Sequence, residues 1–357
     1  MILMNPGPVT LSERVRRSLL QPDLCHRESE YFDLQDEARV RLLGVYGLDA
    51  SEWTVALMTG SGTAAVDSMM ASLPPADARV LVVENGVYGE RMTQMCAQYR
   101  IDHEALPGQW LQAPDLALIE ARLAGGGFTH LAVVHHETTT GRLNDLGALM
   151  QLCGRHGVKV LLDAVSSFGA EAIGFDDPAL AAVAATANKC LHGVPGISFV
   201  LVRRSALSTA LSRTYYLDLT RLAQAQERRN TPFTPAVHVC YALVEALREF
   251  EQMGGRLARF ERYARLSRQV LDGLAALGIE PLLPPAQSSV VLRAYRLPPG
   301  LSYPVLHDAL KAAGFAIYAG QGDLSKTLFR ISTMGEVGGA DIERFLACVA
   351  GLPRAAS

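Results

Sequence analysis

The chain has 357 residues, of which 49% are hydrophobic and 19% charged, a composition typical of a soluble globular protein with two domains. Its net charge of −3 gives no electrostatic reason to expect a nucleic acid or an anionic membrane as a partner. The start MILMNPGPVT has no basic segment followed by an apolar core, and no apolar run reaches the ~18 residues that a membrane helix needs. We therefore expect a cytoplasmic protein.

The cysteines show neither a Cys-x-x-Cys pair nor the spacing of a metal site. They are scattered at positions 25, 96, 153, 190, 240 and 348. We expect buried free thiols in a reducing compartment and no bound metal.

Apolar segments alternate with helical patterns from residue 60 onward. The segments that are apolar throughout are 78–85, 129–137, 158–164, 180–187 and 197–202. Such runs suit strands that are buried on both faces, in a mostly parallel sheet with helices on each side. We predict a large α/β domain over residues 1–245, with the N-terminal segment included.

The pattern changes after the last of these strands. A long helical stretch covers about residues 237–277 and is broken near Gly254 and Gly255. It leads to shorter apolar segments and to a last helix from Gly339. We predict a smaller C-terminal α+β domain over residues 246–357.

Two motifs near predicted strand ends indicate an anion site and an aromatic contact. TGSGT (59–63) precedes a helical stretch, where backbone N–H groups and the Ser61 and Thr63 hydroxyls could bind an anion at the positive end of the helix. Tyr88 lies just past the strand segment 78–85 and could lie flat against a planar ligand. The alternatives are an ordinary helix cap and a core tyrosine.

Asp163 and Lys189 each follow a predicted buried strand. A carboxylate at this position needs a cationic or N–H partner, unless it forms an Asx-type turn or a helix cap. Lys189 stands in ATANKCLHGVPG (185–196), in a chain with only four lysines among 33 basic residues. Its presence favours chemistry that arginine cannot perform, namely loss of a proton and nucleophilic attack. The alternative is a solvated lysine at a loop edge.

These groups together match the needs of one cofactor. The carboxyl ends of parallel strands meet at one edge of a sheet, where ligands bind. An anion site, a carboxylate for a ring nitrogen, an aromatic ring and an amine are what pyridoxal 5′-phosphate requires. The sequence therefore predicts a pyridoxal phosphate enzyme.

The chain resembles the class V aminotransferases of the fold-type I pyridoxal phosphate enzymes, and among them most closely the 2-aminoethylphosphonate aminotransferases. The matching segments are NPGPVTLS, GSGTAAV, NGVYGERM, HHETTTGRLN, LLDAVSSFGA, TANKCLHGVPG, PFTPAVH and LFRISTMGEV. The resemblance implies a seven-stranded, mostly parallel sheet and amino transfer between 2-aminoethylphosphonate and pyruvate, giving phosphonoacetaldehyde and alanine. The alternative is an alanine–glyoxylate or serine–glyoxylate aminotransferase of the same family.

The resemblance also implies roles for individual residues in cofactor binding. Lys189 would bond the cofactor and carry protons, and Asp163 would pair with the ring nitrogen, which would lower the pKa of its carboxyl. The other expected cofactor contacts are Tyr88 on the ring, Ser61, Gly62 and Thr63 at the phosphate, Thr138 near the ring hydroxyl, and Ser166.

Three further residues are implied to complete the site. Thr234 in PFTPAVH would reach the phosphate of the neighbouring subunit, in a homodimer with shared active sites. Arg330 in FRIS would bind the anionic group of the amine and keto-acid substrates. Arg27 in LCHRESEYF is a second substrate candidate, with a surface pair to Glu28 or Glu30 as the alternative.

Two other functional classes fit less well. A cysteine desulfurase needs a cysteine on a loop near the cofactor, and no cysteine occurs between Cys240 and Cys348. A cofactor-binding regulator needs a DNA-binding module, for which the chain has no basic segment.

Overall fold

The computed structural model describes residues 1–352. The strands in this range are β1 (Ile2–Leu3), β2 (Trp53–Gly60), β3 (Arg79–Glu84), β4 (Asp102–Pro107), β5 (His130–Val134), β6 (His136–Glu137), β7 (Arg142–Leu143), β8 (Lys159–Asp163), β9 (Leu180–Thr186), β10 (Gly196–Arg203), β11 (Leu292–Arg296), β12 (Phe315–Ala316), β13 (Tyr318–Ala319) and β14 (Leu328–Ser332).

The α-helices in the same range connect and cover these strands. They are α1 (Glu13–Arg17), α2 (Ser29–Gly44), α3 (Gly62–Ser72), α4 (Val87–Gln98), α5 (Leu116–Ala124), α6 (Leu146–Arg155), α7 (Arg204–Leu207), α8 (Leu219–Glu227), α9 (Val237–Gln252), α10 (Gly255–Ala276), α11 (Tyr303–Ala312) and α12 (Gly339–Ala350).

A seven-stranded sheet forms the centre of the large domain, in the order β2-β10-β9-β8-β5-β3-β4. Strand β10 runs antiparallel to β2 and β9, whereas the other neighbouring pairs are parallel. This confirms the predicted mostly parallel sheet. Alternate residues of one strand enter two different apolar cores, as Val183 and Ala184 of β9 do, because helices cover both faces.

The smaller C-terminal domain has a three-stranded antiparallel sheet, β11-β14-β13, and a core of its own with α10, α11 and α12. Strand β1 pairs in parallel with β12, so the start of the chain joins this region. The predicted boundary at residues 245/246 falls inside α9, and the division at that position stays a prediction.

The break predicted in the long helical stretch is confirmed. Helix α9 ends at Gln252 and α10 begins at Gly255, with φ of +96° at Gly254 and +69° at Gly255, a backbone conformation that favours glycine. Strands β2 and β4 were not predicted from the sequence. Strand β4 is an edge strand whose residues are half-buried or exposed, so DHEALP lacks the apolar run of the central strands.

The topology brings several chain segments to one edge of the large sheet. Strands β8 and β9 end there at Asp163 and Thr186, and helices α3 and α4 begin after β2 and β3. No helix within residues 1–352 has the length and apolar character to cross a membrane. The cytoplasmic location stays a prediction.

Candidate active site

Lys189 lines an open cleft at this edge of the sheet, which we call the lysine cleft. Its volume is about 510 Å³, and its walls are formed by residues 59–63, Tyr88, Arg91, Val165, Thr186, Asn188, Lys189, Pro195 and Gly196. The Lys189 side chain keeps partial contact with solvent. Burial still lowers the pKa of its amine to about 8, and the positive charge of Arg330 acts in the same direction, against Cys190 and Asp163. Lys189 is therefore more easily deprotonated than a solvated lysine.

The N-terminal segment packs directly on the Lys189 side chain. The Lys189 amine donates a hydrogen bond to the Pro6 carbonyl. Gly7 has φ of +117°, and a Cβ added there would lie 2.8 Å from Lys189 Cδ and Cε. Glycine is therefore required at position 7 both by the backbone and by the neighbouring lysine. No role of Pro6 or Gly7 was predicted from the sequence.

Asp163 is buried at the end of β8, as predicted. Its Oδ1 accepts a hydrogen bond from Val165 N at 2.9 Å, so the Asx-type turn weighed as an alternative is present. In the protein chain alone, burial raises the pKa of Asp163 to about 6, against the Val165 N–H and the charges of Arg91 and Lys189. Desolvation thus exceeds the effect of these neighbours, and the lowered pKa expected from pairing with the cofactor's ring nitrogen stays a prediction.

Helix α3 begins at the cleft with free donors. The N–H groups of a first turn lack the usual i−4 partners, and Ser61 at the N-cap makes no side-chain capping hydrogen bond. The Ala64 N–H donates to Ser61 O at 2.8 Å, whereas the Gly62 and Thr63 N–H groups make no hydrogen bond among the described residues. A Cβ added at Gly62 would lie 2.7 Å from Val165 Cγ1, so only glycine lets α3 approach this close. Ser61 and Thr63 are exposed toward the cleft. This arrangement suits a phosphate group.

Tyr88 and Arg91 lie one helical turn apart on α4 and both line the lysine cleft. The Arg91 guanidinium lies over the Tyr88 ring at 5.0 Å, and its Nη1 donates to Thr63 Oγ1 at 3.1 Å. Arg91 was not predicted from the sequence as a site residue. The i, i+3 spacing from Tyr88 in NGVYGERM is the signal that could have found it.

Glu137 is a second buried carboxylate that the sequence analysis did not select. It accepts hydrogen bonds from Thr139 N at 3.0 Å and from Tyr88 N at 3.3 Å, and a Cβ at Gly86 would lie 2.2 Å from its Cδ. Burial raises the pKa of Glu137 to about 7, despite these donors. The signal was the same as for Asp163, a carboxylate just past a buried strand.

Arg330 is buried on β14 and is held from three sides. Its Nε donates to Ala319 O at 2.8 Å, and its Nη1 donates to Thr138 O at 3.1 Å and Gln321 Oε1 at 3.2 Å. Within residues 1–352, its Nη2 makes no hydrogen bond and stays available for an anion. Burial lowers the pKa of Arg330, against the charges of Tyr88 and Glu137 among others. The buried Thr138 hydroxyl has no hydrogen-bond partner among the described residues.

The structure does not bring all predicted residues to the cleft of this chain. Ser166 is buried, and its carbonyl accepts from His136 Nδ1 at 3.3 Å. Thr234 is exposed and lines a neighbouring surface pocket, which shares Thr59 with the lysine cleft. Arg27 is exposed and makes no ion pair with Glu28 or Glu30 within residues 1–352, so the surface pair is not formed either.

The sequence matches the family model described as aminotransferase class V over residues 25–296, which is most of the chain. The chain belongs to the class V aminotransferase family.

This class V aminotransferase is similar to three proteins named 2-aminoethylphosphonate–pyruvate transaminase. The one from Aeromonas hydrophila is 36% identical, covering 98% of this chain and 94% of the relative. Those from Vibrio vulnificus (36% identical) and Bacillus cereus (33% identical) are matched over 98% of this chain and over 96% and 97% of their own lengths.

Solved aminotransferase structures share the fold. The aspartate aminotransferase of Thermus thermophilus superposes with a TM-score of 0.89 at 27% identity, covering 98% of each chain. The alanine–glyoxylate aminotransferase of Nostoc gives a TM-score of 0.90 at 24% identity, covering 98% of this chain and 94% of that one, which shows the fold alone. These likenesses confirm the predicted fold-type I architecture.

The family depends on pyridoxal 5′-phosphate, and the residues of this aminotransferase fit that cofactor. Among the described residues, the Gly62 and Thr63 N–H groups at the start of α3 and the buried Thr138 hydroxyl lack hydrogen-bond partners. Lys189 offers an amine with a lowered pKa, and Asp163 offers a buried carboxylate that a protonated ring nitrogen would stabilise in its charged form.

Lys189→Ala should abolish the covalent bond between protein and cofactor, because no other lysine is expected to reach the cleft. Borohydride reduction followed by peptide mass spectrometry will show the attachment point. Recovery of the cofactor on Lys159, Lys311 or Lys326 would show that Lys189 is the wrong assignment.

Gly7→Ala should slow the bonding of Lys189 to pyridoxal 5′-phosphate by roughly tenfold or more, because the added methyl group displaces the lysine side chain. The matched control is Gly47→Ala, which also has positive φ (+66°) but no atom within 4 Å of the added Cβ. Both variants should lose about 1 kcal/mol of stability from the backbone conformation. Equal bonding rates in the two variants, followed by absorbance, would show that the contact with Lys189 has no effect.

Asp163→Asn should make the cofactor-free protein relatively more stable as pH rises. The native pKa of about 6 exceeds the unfolded value, so wild type has this stability in full below pH ~4 and loses it as pH rises through about 6. The Asp163→Asn variant has no such loss of stability. Its free energy of unfolding relative to that of wild type should therefore increase by about 2–3 kcal/mol between pH ~4 and ~7.5. Urea unfolding at several pH values measures it. Asp49→Asn is the control of opposite sign, because a Ser51 N–H lowers the pKa of Asp49. A constant difference between Asp163→Asn and wild type would contradict the raised pKa.

Proposed function

We propose that the protein transfers an amino group between 2-aminoethylphosphonate and pyruvate, giving phosphonoacetaldehyde and alanine. The observation that carries the proposal is the similarity, at 33–36% identity over 98% of the chain, to relatives that bear this activity in their names. The roles that the sequence predicts for the site residues are part of this proposal.

Pyridoxal 5′-phosphate, when bound, supplies an aldehyde for the substrate amine and a ring that accepts electrons from the substrate carbon. Lys189 Nζ is the base available for the proton at the amine-bearing carbon, and its lowered pKa makes the free amine accessible near neutral pH. The Asp163 carboxylate would hold the ring nitrogen in its protonated form. Ser61, Gly62 and Thr63 would hold the phosphate, with Tyr88 against the ring and Thr138 and Ser166 as further contacts.

Arg330 would bind the anionic group of both substrates. Two of its guanidinium nitrogens are fixed by protein oxygens, so the side chain is oriented before a substrate arrives. The remaining Nη2, a planar donor, can grip a phosphonate or a carboxylate, which a lysine ammonium does only as a point charge. The positive charge of Arg330 contributes to the lowered pKa of Lys189, so the two side chains interact electrostatically. This supports a substrate that lies between them.

The protein would act as a homodimer in which Thr234 completes the site of the neighbouring subunit. Thr234 is exposed in the single chain, beside Phe233, whose ring lies 4.8 Å from that of Tyr216 and 5.8 Å from that of Tyr215. Tyr215 and Tyr216 are 72% and 46% exposed. Exposed aromatic side chains next to Thr234 support a surface that a partner covers.

A single-turnover donor comparison tests the proposed reaction. Wild-type protein loaded with cofactor is mixed with one amine donor in the absence of a keto acid, and the conversion of the bound cofactor is followed by its absorbance. Conversion should be much faster with 2-aminoethylphosphonate than with alanine or serine. Faster conversion by serine or alanine, with no response to the phosphonate, would replace the proposal by the glyoxylate-type alternative.

Substitution of Arg330 tests its role toward both substrates. Arg330→Lys should lower kcat/KM about 10²-fold or more in both half-reactions, because an ammonium cannot keep the hydrogen bonds to Ala319 and Thr138 and also supply the oriented Nη2 donor for the anion. Arg296→Lys, an exposed substitution on β11, is its control. Arg27→Ala should affect only the phosphonate half-reaction if Arg27 contributes. Normal kinetics of Arg330→Lys with both substrates would remove Arg330 from the substrate site.

Complementation between two inactive variants tests the shared site. A mixed dimer of Lys189→Ala and Thr234→Ala chains contains one site with both native residues if Thr234 acts on the neighbouring subunit. Mixing should then restore cofactor binding and activity above either variant alone. Absence of any gain from mixed dimers, or an active monomer in sedimentation, would contradict this arrangement.

A further inference from the structure

Arg91 is a charged side chain in the lysine cleft to which neither the sequence analysis nor the proposed reaction gives a function. Its Nη1 hydrogen-bonds Thr63 Oγ1 at 3.1 Å, and Thr63 lies in the first turn of α3. Its guanidinium also lies over the Tyr88 ring at 5.0 Å. Arg91 thus contacts both the expected phosphate end and the expected ring wall of the site.

The charge of Arg91 is not neutralised by the protein. Within residues 1–352, no carboxylate forms an ion pair with it. The adjacent Glu90 accepts a hydrogen bond from Trp110 Nε1 at 3.2 Å instead. The positive charge of Arg91 acts on the cofactor side of the cleft, since it helps to lower the pKa of Asp163 against burial. A free guanidinium therefore faces the site.

The residues expected to hold the phosphate carry no charge of their own. Ser61, Gly62 and Thr63 offer hydroxyl and N–H donors and the positive end of a helix. A phosphate ester carries close to two negative charges at neutral pH. A charge-assisted hydrogen bond is roughly twice as strong as a neutral one, so a nearby guanidinium would add much of the binding energy.

We propose that Arg91 supplies the positive charge that holds the cofactor's phosphate at the N-terminus of α3, with Thr63 fixing the guanidinium. This assignment rests on the proposed function, which requires pyridoxal 5′-phosphate. The competing account is that Arg91 only supports the Tyr88 ring. The two accounts differ in which part of the cofactor depends on Arg91.

The test compares two ligands that differ only in the phosphate. Dissociation constants of pyridoxal 5′-phosphate and of pyridoxal are measured for wild type, Arg91→Gln and Arg91→Lys by fluorescence and absorbance titration. Arg91→Gln should weaken binding of the phosphate form by roughly 10- to 100-fold and of pyridoxal by less than about twofold. Arg91→Lys should fall between wild type and Arg91→Gln, because an ammonium keeps the charge but not the fork. Tyr88→Ala, which removes the ring, should weaken both ligands equally and serves as the reference for a ring effect.

Equal losses for both ligands in Arg91→Gln, or no loss, would overturn the proposal. Inorganic phosphate provides a second measurement that needs no cofactor. It should raise the melting temperature of cofactor-free wild type most, that of Arg91→Lys less and that of Arg91→Gln least, whereas an equal rise in all variants would also overturn the proposal. A wild-type protein that binds neither ligand would instead refute the proposed function, so the two failures are distinct.

Discussion

Burial of ionisable groups at the carboxyl edge of the sheet is the constraint on which the site depends. Asp163 and Glu137 have raised pKa values and Lys189 a lowered one, all because burial disfavours charge. Such groups persist in an interior only when hydrogen bonds or opposite charges offset their desolvation. A ligand that carries both a cationic ring nitrogen and anionic oxygens would provide these partners. Burial of these ionisable groups would therefore favour binding of such a ligand over one without those charges.

The parts of the site that depend on the sheet could be predicted from the sequence. Apolar runs fix where β8 and β9 end, and therefore that Asp163 and Lys189 lie at the same edge. The glycine-containing turn at residues 59–63 predicts a helix start with free N–H groups. In each case a local pattern determines a position in the fold, and parallel strand order brings those positions together.

The remaining parts depend on contacts between distant segments. Pro6 meets Lys189 across 183 positions of sequence, and Arg330 meets Thr138 across 192. No periodicity encodes such pairs. The pKa of Asp163 in the protein alone also could not be derived from the sequence, because it depends on the balance between burial and several neighbours. The proposed role of Thr234 involves a second subunit, which a single sequence does not position.

The route of residues 2–6 has a consequence for how the two domains communicate. Residues 2–3 form a strand with β12 of the small domain, and Pro6 then contacts Lys189 in the large one. This segment therefore links the small sheet to the amine in the cleft. A shift of the small domain relative to the large one would move the Pro6 carbonyl and so change the hydrogen bonding of the Lys189 amine.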